Sequence, residues 1–287
     1  MAVHIHTSGT PFSFVHLRRR LVDGIVMALC MQQVIAFARQ ERETMKLLTV
    51  ENAKTIKGEK LGYLTGILYL APAEESGVMN TCQFASEGCK QDCLFTAGRG
   101  VFESVYKARV KKTLWLASDR AGFLEQLRKD IRALVKSAKR QKLIPAIRLN
   151  GTSDLAWLPM QLSAEFPNVQ FYDYTKLPHP QTRTRPNYHL TFSRSESNSA
   201  AVLDALAHGV NVAMVFDTKR GRPLPQSWKG YKVIDGDLHD LRFLDGYQSA
   251  VIGLRAKGKA RKDSPAKGSG FVLASSLFVP ISRRIAA

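Results

Sequence analysis

Long apolar runs are missing from this chain. No stretch of eighteen uninterrupted apolar residues occurs in its 287 positions, which argues against a membrane-spanning helix. Acidic residues are short of the basic ones, 24 Asp+Glu against 42 Lys+Arg, a formal charge of +18. That balance points to a polyanionic partner, nucleic acid before an acidic membrane surface; the plainer reading is a basic solvated surface. Cysteine is scarce too: four residues at this length are too few for a disulfide framework. Three of the four lie within twelve positions, which suggests a metal site in a reducing compartment. The rest of the composition, 45% hydrophobic and 23% charged, is that of an ordinary globular protein and excludes a fibre or a wholly disordered chain.

Residues 1–44 differ in pattern from the rest of the chain. Arg18, Arg19 and Arg20 precede an apolar stretch from Leu21 to Phe37 that Asp23, Gln32 and Gln33 interrupt. It lacks a clear small-residue cleavage site for a signal peptide and is too short and polar for a span. An amphipathic helix is one reading. The favoured one is that translation begins at Met45, that residues 1–44 lie outside the fold, and that Cys30 has no role.

From Met45 onward (45–287) the pattern is that of one α/β domain. Apolar runs at Leu61–Leu70, Ala146–Asn150, Val169–Tyr174, Tyr188–Ser193, Val210–Asp217, Lys232–Asp235 and Ala250–Leu254 read as strands. Helical pattern dominates Val101–Leu143, where Phe123, Leu124, Leu127, Ile131, Leu134, Val135 and Ala138 recur at core spacing. Pro159–Phe166 and Ser199–His208 read as further helices, the second stopped by Gly209. Alternating strands and helices predict a parallel sheet with both faces covered, as a whole or partial (β/α) barrel, with a doubly wound open sheet as the alternative. Rossmann and P-loop glycine signatures are both absent.

A cysteine loop spans residues 80–100. Cys82, Cys89 and Cys93 have the spacing C-x6-C-x3-C, with Gly88 allowing tight backbone folding. Three thiolates from one loop can hold an iron–sulfur cluster or a soft metal with one position open. Alternatively they are buried thiols, or a structural zinc site completed by His179, His189, His208 or His239.

Polar clusters recur at the expected carboxyl ends of strands, where parallel α/β folds place their chemistry. They are Arg148–Asp154, Tyr172–Lys176, Thr191–Asn198, Asp217–Arg220 and Asp235–Asp237. From them Asp154, Asp173, Asn150 and Glu196 are the candidate catalytic residues, although Ser153, Asp154 and Ser195 would also serve as helix caps. Residues 107–142 carry twelve Lys/Arg and three Asp/Glu, a net of +9 and half of the whole excess. A basic C-terminal loop (255–268) adds Arg255, Lys257, Lys259, Arg261, Lys262 and Lys267. Arg148, Lys176, Arg194, Lys257, Lys259, Arg261 and Lys262 are the candidate nucleic-acid contacts. Tyr172, Tyr174 and Phe192 could stack on an extruded base, though strand aromatics are more often core.

Several long stretches carry a resemblance: Asn52–Tyr63, the cysteine loop through Ala97-Gly-Arg-Gly100, Arg148–Asp154, Gln170–Lys176 and Asn187–Glu196. Together they resemble the phage and prophage family called gene product 88, over Met45 to about Leu273. The resemblance implies a phage-related protein of the bacterial cytoplasm and brings no catalytic roles. It leaves out residues 1–44, in keeping with the later start. A looser similarity is to radical-SAM barrels, where a cysteine loop after the first strand holds an iron–sulfur cluster. Here the loop position agrees, but the spacing differs from the usual C-x3-C-x2-C and the glycine-rich S-adenosylmethionine motif is not recognisable. A second is to the barrel transglycosylases that exchange guanine for a deazaguanine with two aspartates and a zinc site. The cysteines of this chain come too early for that motif.

The leading expectation is therefore an enzyme that modifies nucleic acid, DNA favoured, with a Cys-ligated iron–sulfur cluster, with or without S-adenosylmethionine, and no membrane partner. The alternatives are Asp-dependent base exchange and a non-catalytic nucleic-acid-binding phage protein with structural zinc. The change of pattern at Met45 makes a first prediction: protein starting there melts at the same temperature as the full chain and binds the same oligonucleotides. An insoluble or inactive product would show that residues 1–44 belong to the fold.

Overall fold

The structure is a computed structural model and describes residues 45–261 and 268–278. The stretch from Leu21 to Phe37, Cys30, Lys262 and Lys267 lie outside the described residues. Lys46–Ala287 forms a compact unit by itself. Its strands are β1 (Leu48–Thr49), β2 (Tyr63–Leu68), β3 (Ile144–Arg148), β4 (Gln170–Thr175), β5 (Tyr188–Ser193), β6 (Val212–Phe216), β7 (Ser227–Trp228), β8 (Tyr231–Asp235) and β9 (Val251–Arg255). The helices are α1 (Ala53–Glu59), α2 (Glu87–Gln91), α3 (Glu103–Ser118), α4 (Arg120–Gln141), α5 (Trp157–Glu165) and α6 (Ser199–Ala207).

The strands form one sheet in the order β1-β2-β3-β4-β5-β6-β9-β8-β7. Pairing is parallel from β2 through β8, with β1 and β7 antiparallel at the two edges. All seven apolar runs expected as strands are strands. The closed barrel is not formed: the sheet is open, β1 and β7 lie at opposite edges, and an open doubly wound sheet is compatible with it. Two edge strands and α1 had no signal in the sequence. β1 and β7 have only two residues each, too short for a period, and α1 is a single polar segment. β7 and β8 meet through Lys229 and Gly230, both at positive φ (47° and 85°), the backbone that a two-residue hairpin turn requires.

The expected helical stretch from Val101 to Leu143 is two helices. Asp119 ends α3 in a non-helical conformation, and its carboxylate accepts from the Gly122 amide at 2.9 Å, starting α4 as an N-cap. Phe123, Leu124, Leu127, Ile131, Leu134 and Ala138 then fall on one stripe and are buried. α6 ends where expected, with Gly209 at φ +82°, and the Val210 amide turns back to the Ala205 carbonyl.

Neighbouring residues of β2 face opposite ways. A Cβ on Gly66 would meet Leu134 of α4, whereas Gly58 of α1 lies against Thr65, so α1 and α4 cover opposite faces. Parallel register carries this division across the sheet. Gly66, Ile147, Phe171, Tyr188, Phe192 and Val212 share the α4 face, and α6 packs there against Phe192, Val212, Met214 and Phe216. The opposite face carries Tyr63, Ala146, Tyr172 and, beneath them, Leu241 and Phe243.

That second face is unusually polar. Arg148 is 5% exposed; its guanidinium pairs with Asp240 at 2.8 Å and lies 4.6 Å from the Tyr174 ring centroid. Arg242 is buried beside His239 and Asp245. His189 faces Arg242; burial and then that charge push its pKa down to about 4. Removing one partner of a buried pair leaves a charge without compensation. Asp240→Ala should therefore cost about 3–5 kcal/mol in urea denaturation, and adding Arg148→Met should restore most of it. A loss below about 1 kcal/mol would show that the pair is hydrated.

Candidate functional site

The loop leaving β2 begins with two buried ties. The Ala71 amide donates to Thr113 Oγ1 at 2.9 Å, and Thr81 Oγ1 donates to the Ala71 carbonyl at 2.6 Å. Asn80 Oδ1 accepts from the Cys82 amide at 2.7 Å. Next comes the single short turn of α2, capped by Ser86, whose hydroxyl accepts from the Cys89 amide. Glu196, just beyond β5, grips that turn: its carboxylate accepts from Ser86 Oγ at 2.8 Å and from the Gly88 amide at 2.9 Å. Gly88 has no room for a side chain, since a Cβ would lie 2.8 Å from Ser269 Oγ and 2.9 Å from Phe271 Cβ. Burial raises the Glu196 pKa, but the amide and hydroxyl donors and Arg194 outweigh it, leaving it below the usual range.

Cys82, Cys89 and Cys93 are free, half-buried thiols. They lie close enough to perturb one another, and Lys176 enters among them. Its ammonium hydrogen-bonds the Cys89 sulfur and donates to Ser193 Oγ at 3.3 Å. Burial alone would lower the Lys176 pKa; Cys89 and Asp154 beside it reverse the sign. Burial pushes the Cys93 thiol up to about 11 and raises Cys82, whose sulfur points at the Thr152 carbonyl at 3.8 Å. A thiol so raised is a poor nucleophile until a cation or base draws its proton. Three thiols are soft donors of the kind that bind soft metals, whereas the Lys176 ammonium in their midst repels a metal cation. Among the described residues, however, no group of three or more His, Cys, Asp or Glu side chains is arranged to hold a metal ion. The four candidate histidines have other neighbours: His179 and His208 pair with Asp204, His239 lies against Asp245, and His189 faces Arg242, with its Nε2 buried and without a hydrogen-bond partner among the described residues.

Asp154 joins the thiols. Its carboxylate accepts from the Lys176 amide at 2.7 Å, and it contributes to the raised pKa of Cys82. Burial raises its own pKa, against the pull of the Lys176 amide, Thr175 and the Lys176 and Arg183 charges. Asp173 lies behind it, 0% exposed, on the α4 face. It accepts from the Asn150 amide at 2.7 Å, with the Tyr188 phenol as a neighbour. Asn150 closes the turn after β3 by accepting from Ser153 Oγ and the Leu155 amide, both at 2.9 Å.

The basic residues divide. Arg148 is committed to Asp240, Lys176 to the thiol cluster, and Arg194 donates to the Gly270 and Phe271 carbonyls at 2.7 and 2.9 Å. Of the helical charges, Arg109 and Lys112 are buried, Lys112 donating to the Leu47 carbonyl at 2.7 Å. Asp235 and Asp237, expected at the rim, bind Arg255, and Asp237 also binds Lys257 at 2.7 Å. Lys257, Lys259 and Arg261 remain exposed. Gly258 between the two lysines packs on Thr96 and Ala97, so this basic turn lies against the end of the cysteine loop. Tyr172 and Phe192 are 0% exposed core residues, and Tyr174 lies under Arg148; none presents a face to an extruded base. Pairing of Lys176 with Cys89 had no signal in the sequence, because 87 positions separate them. The Ser86 cap did have one, a serine three residues before Cys89.

Fold and site together define a mostly parallel α/β protein with a thiol–lysine–carboxylate cluster at the carboxyl ends of its strands. The chain belongs to the Gene product 88 family, which it matches over residues 46–272. No curated protein and no solved structure matches it. No helix among the described residues is long and apolar enough to cross a membrane.

Burial lifts Asp173 from the ordinary 3.8 to about 8, against Arg148 and the Asn150 amide. Between these two values the folded chain keeps a proton that the unfolded chain has released. This contribution therefore falls as pH rises through that window. Asp173→Asn cannot ionise, so it should fold, keep its melting temperature at about pH 5, and lose less stability than wild type by about pH 8. An unchanged pH profile would place the titration elsewhere.

Proposed function

We propose that this protein is an enzyme that modifies nucleic acid, phage DNA first, in the bacterial cytoplasm. Its reacting site is the cluster in which Cys82, Cys89 and Cys93 surround Lys176 beside Asp154. One observation carries the reading: side chains from the loops after β2, β3 and β4 meet at one point, where parallel sheets place their chemistry. The exposed Lys257–Arg261 turn, packed on the same loop, supplies charge for a phosphate backbone.

The three cysteines are the proposed ligands of an iron–sulfur centre, because one loop brings them together; its binding would displace the Lys176 ammonium from the Cys89 sulfur. When bound, the centre would supply one-electron chemistry, with or without S-adenosylmethionine. The sequential order β2 to β6, with α4 and α6 on one face, supports a partial barrel of the kind that radical-SAM proteins share. Asp154, half-buried beside the thiols and held by the Lys176 amide, is the carboxylate proposed to move a proton. Asp173, enclosed behind it, holds the turn that presents Asp154.

Anaerobically purified protein should contain iron and acid-labile sulfide and be brown, and Cys89→Ser should lose both colour and base modification. Asp154→Asn should bind DNA as wild type does, with modification reduced by about a hundredfold or more. DNA affinity should fall by orders of magnitude between low and moderate salt. Zinc without sulfide would favour the base-exchange or structural-zinc reading. Metal-free protein that binds nucleic acid but leaves it unchanged would make this a binding protein.

A further inference from the structure

Past Cys93 the chain makes two short 3-10 turns, Leu94–Thr96 and Gly98–Val101, before α3. They build a groove of about 390 Å³ whose walls include Phe95, Val101, Glu103 and Tyr106, with Lys259 at its edge. The Phe95 and Tyr106 rings are tilted by 36° with centroids 6.4 Å apart. Gly100, also in the lining, has no room for a side chain, since a Cβ there would run into the Phe95 carbonyl oxygen. Around it the chain exposes apolar side chains that a solvated loop would not need: Leu94 is 51% exposed, Val101 62% and Phe102 56%. The cation at the lip, Lys259, belongs to the basic turn that packs on Thr96 and Ala97. Glu103 on the rim is offset by Lys107 at 2.7 Å, and the Tyr106 hydroxyl faces the Glu75 carbonyl at 3.3 Å.

We propose that this groove takes one unpaired base of single-stranded nucleic acid. The base stacks on Phe95 and Tyr106, and Lys259 and Arg261 hold the flanking phosphates. Aromatic walls with cations at the edge are how proteins bind single strands without reading sequence, because every base has a π-face. An apolar peptide would not need the lysine, and a chain carrying +18 repels a second copy of itself. The groove adjoins Cys93, so a strand held there passes the thiol cluster. The proposal rests on the nucleic-acid reading above and adds the strandedness of the substrate and the residues that grip it.

The test uses the full chain and a single-stranded DNA oligonucleotide carrying one 2-aminopurine, titrated at several salt concentrations. Wild type should quench the fluorophore and prefer the single strand over its duplex. Phe95→Ala and Tyr106→Ala should weaken binding by about tenfold to a hundredfold and abolish quenching, with the salt slope unchanged. Val101→Glu, at an exposed position, keeps the fold secure and should weaken binding as well. Lys259→Ala with Arg261→Ala should instead flatten the salt slope by roughly one to two. If wild type binds but the aromatic variants bind and quench equally well, the groove is not the base site and the wider reading stands. If wild type binds no oligonucleotide at low salt, the nucleic-acid reading fails and takes this proposal with it. Loss of a dimer in sedimentation of Val101→Glu, with DNA binding intact, would overturn the proposal and assign the groove to self-contact.

Discussion

In a parallel sheet, every loop that leaves a strand starts from the same edge. Here that constraint gathers the turn after β2 with its three cysteines, the Asn150–Asp154 turn after β3, Lys176 after β4 and Glu196 after β5. The Glu196 carboxylate then converts proximity into geometry, because it satisfies both the Ser86 hydroxyl and the Gly88 amide. Without that bridge, α2 would be too short to hold its own position.

The two faces of the sheet divide the work. The face covered by α4 and α6 is packed with Leu, Ile, Val and Phe and provides the hydrophobic stabilisation. The other carries Arg148, Tyr172, Tyr174, His189 and Thr191, with Arg242 and Asp240 beneath. Buried polar groups cost stability unless they are used or paired. Of this row, Tyr172 Oη, His189 Nε2 and Thr191 Oγ1 are buried without a hydrogen-bond partner among the described residues.

Charge is likewise sorted by the fold. Part of the basic excess lies inside: Arg109, Lys112, Arg148 and Arg242 are all buried. Arg255 is engaged by Asp235 and Asp237, which fixes the direction in which the chain leaves β9. The short run Lys257, Lys259 and Arg261 faces solvent beside the cysteine loop, next to the Phe95–Tyr106 groove.

Much of this was legible in the residues alone. Strand runs such as Tyr188–Ser193, the stripe from Phe123 to Ala138 and the stop at Gly209 are local patterns, set by side-chain period and backbone preference over a few positions. The cysteine triad and the polar strand ends were equally visible as composition. Three things were decided only in three dimensions. Insertion of β9 between β6 and β8 depends on which edge the chain returns to, and neighbouring sequence does not encode that choice. Arg148 and Lys176 looked like ligands for phosphate but serve Asp240 and Cys89, because burial is a property of the assembled sheet. Phe95 and Tyr106, eleven positions apart, became a pair only when the Leu94–Thr96 and Gly98–Val101 turns brought the start of α3 back beside the loop. In each case the deciding interaction joins residues distant in the chain, where sequence patterning carries no signal.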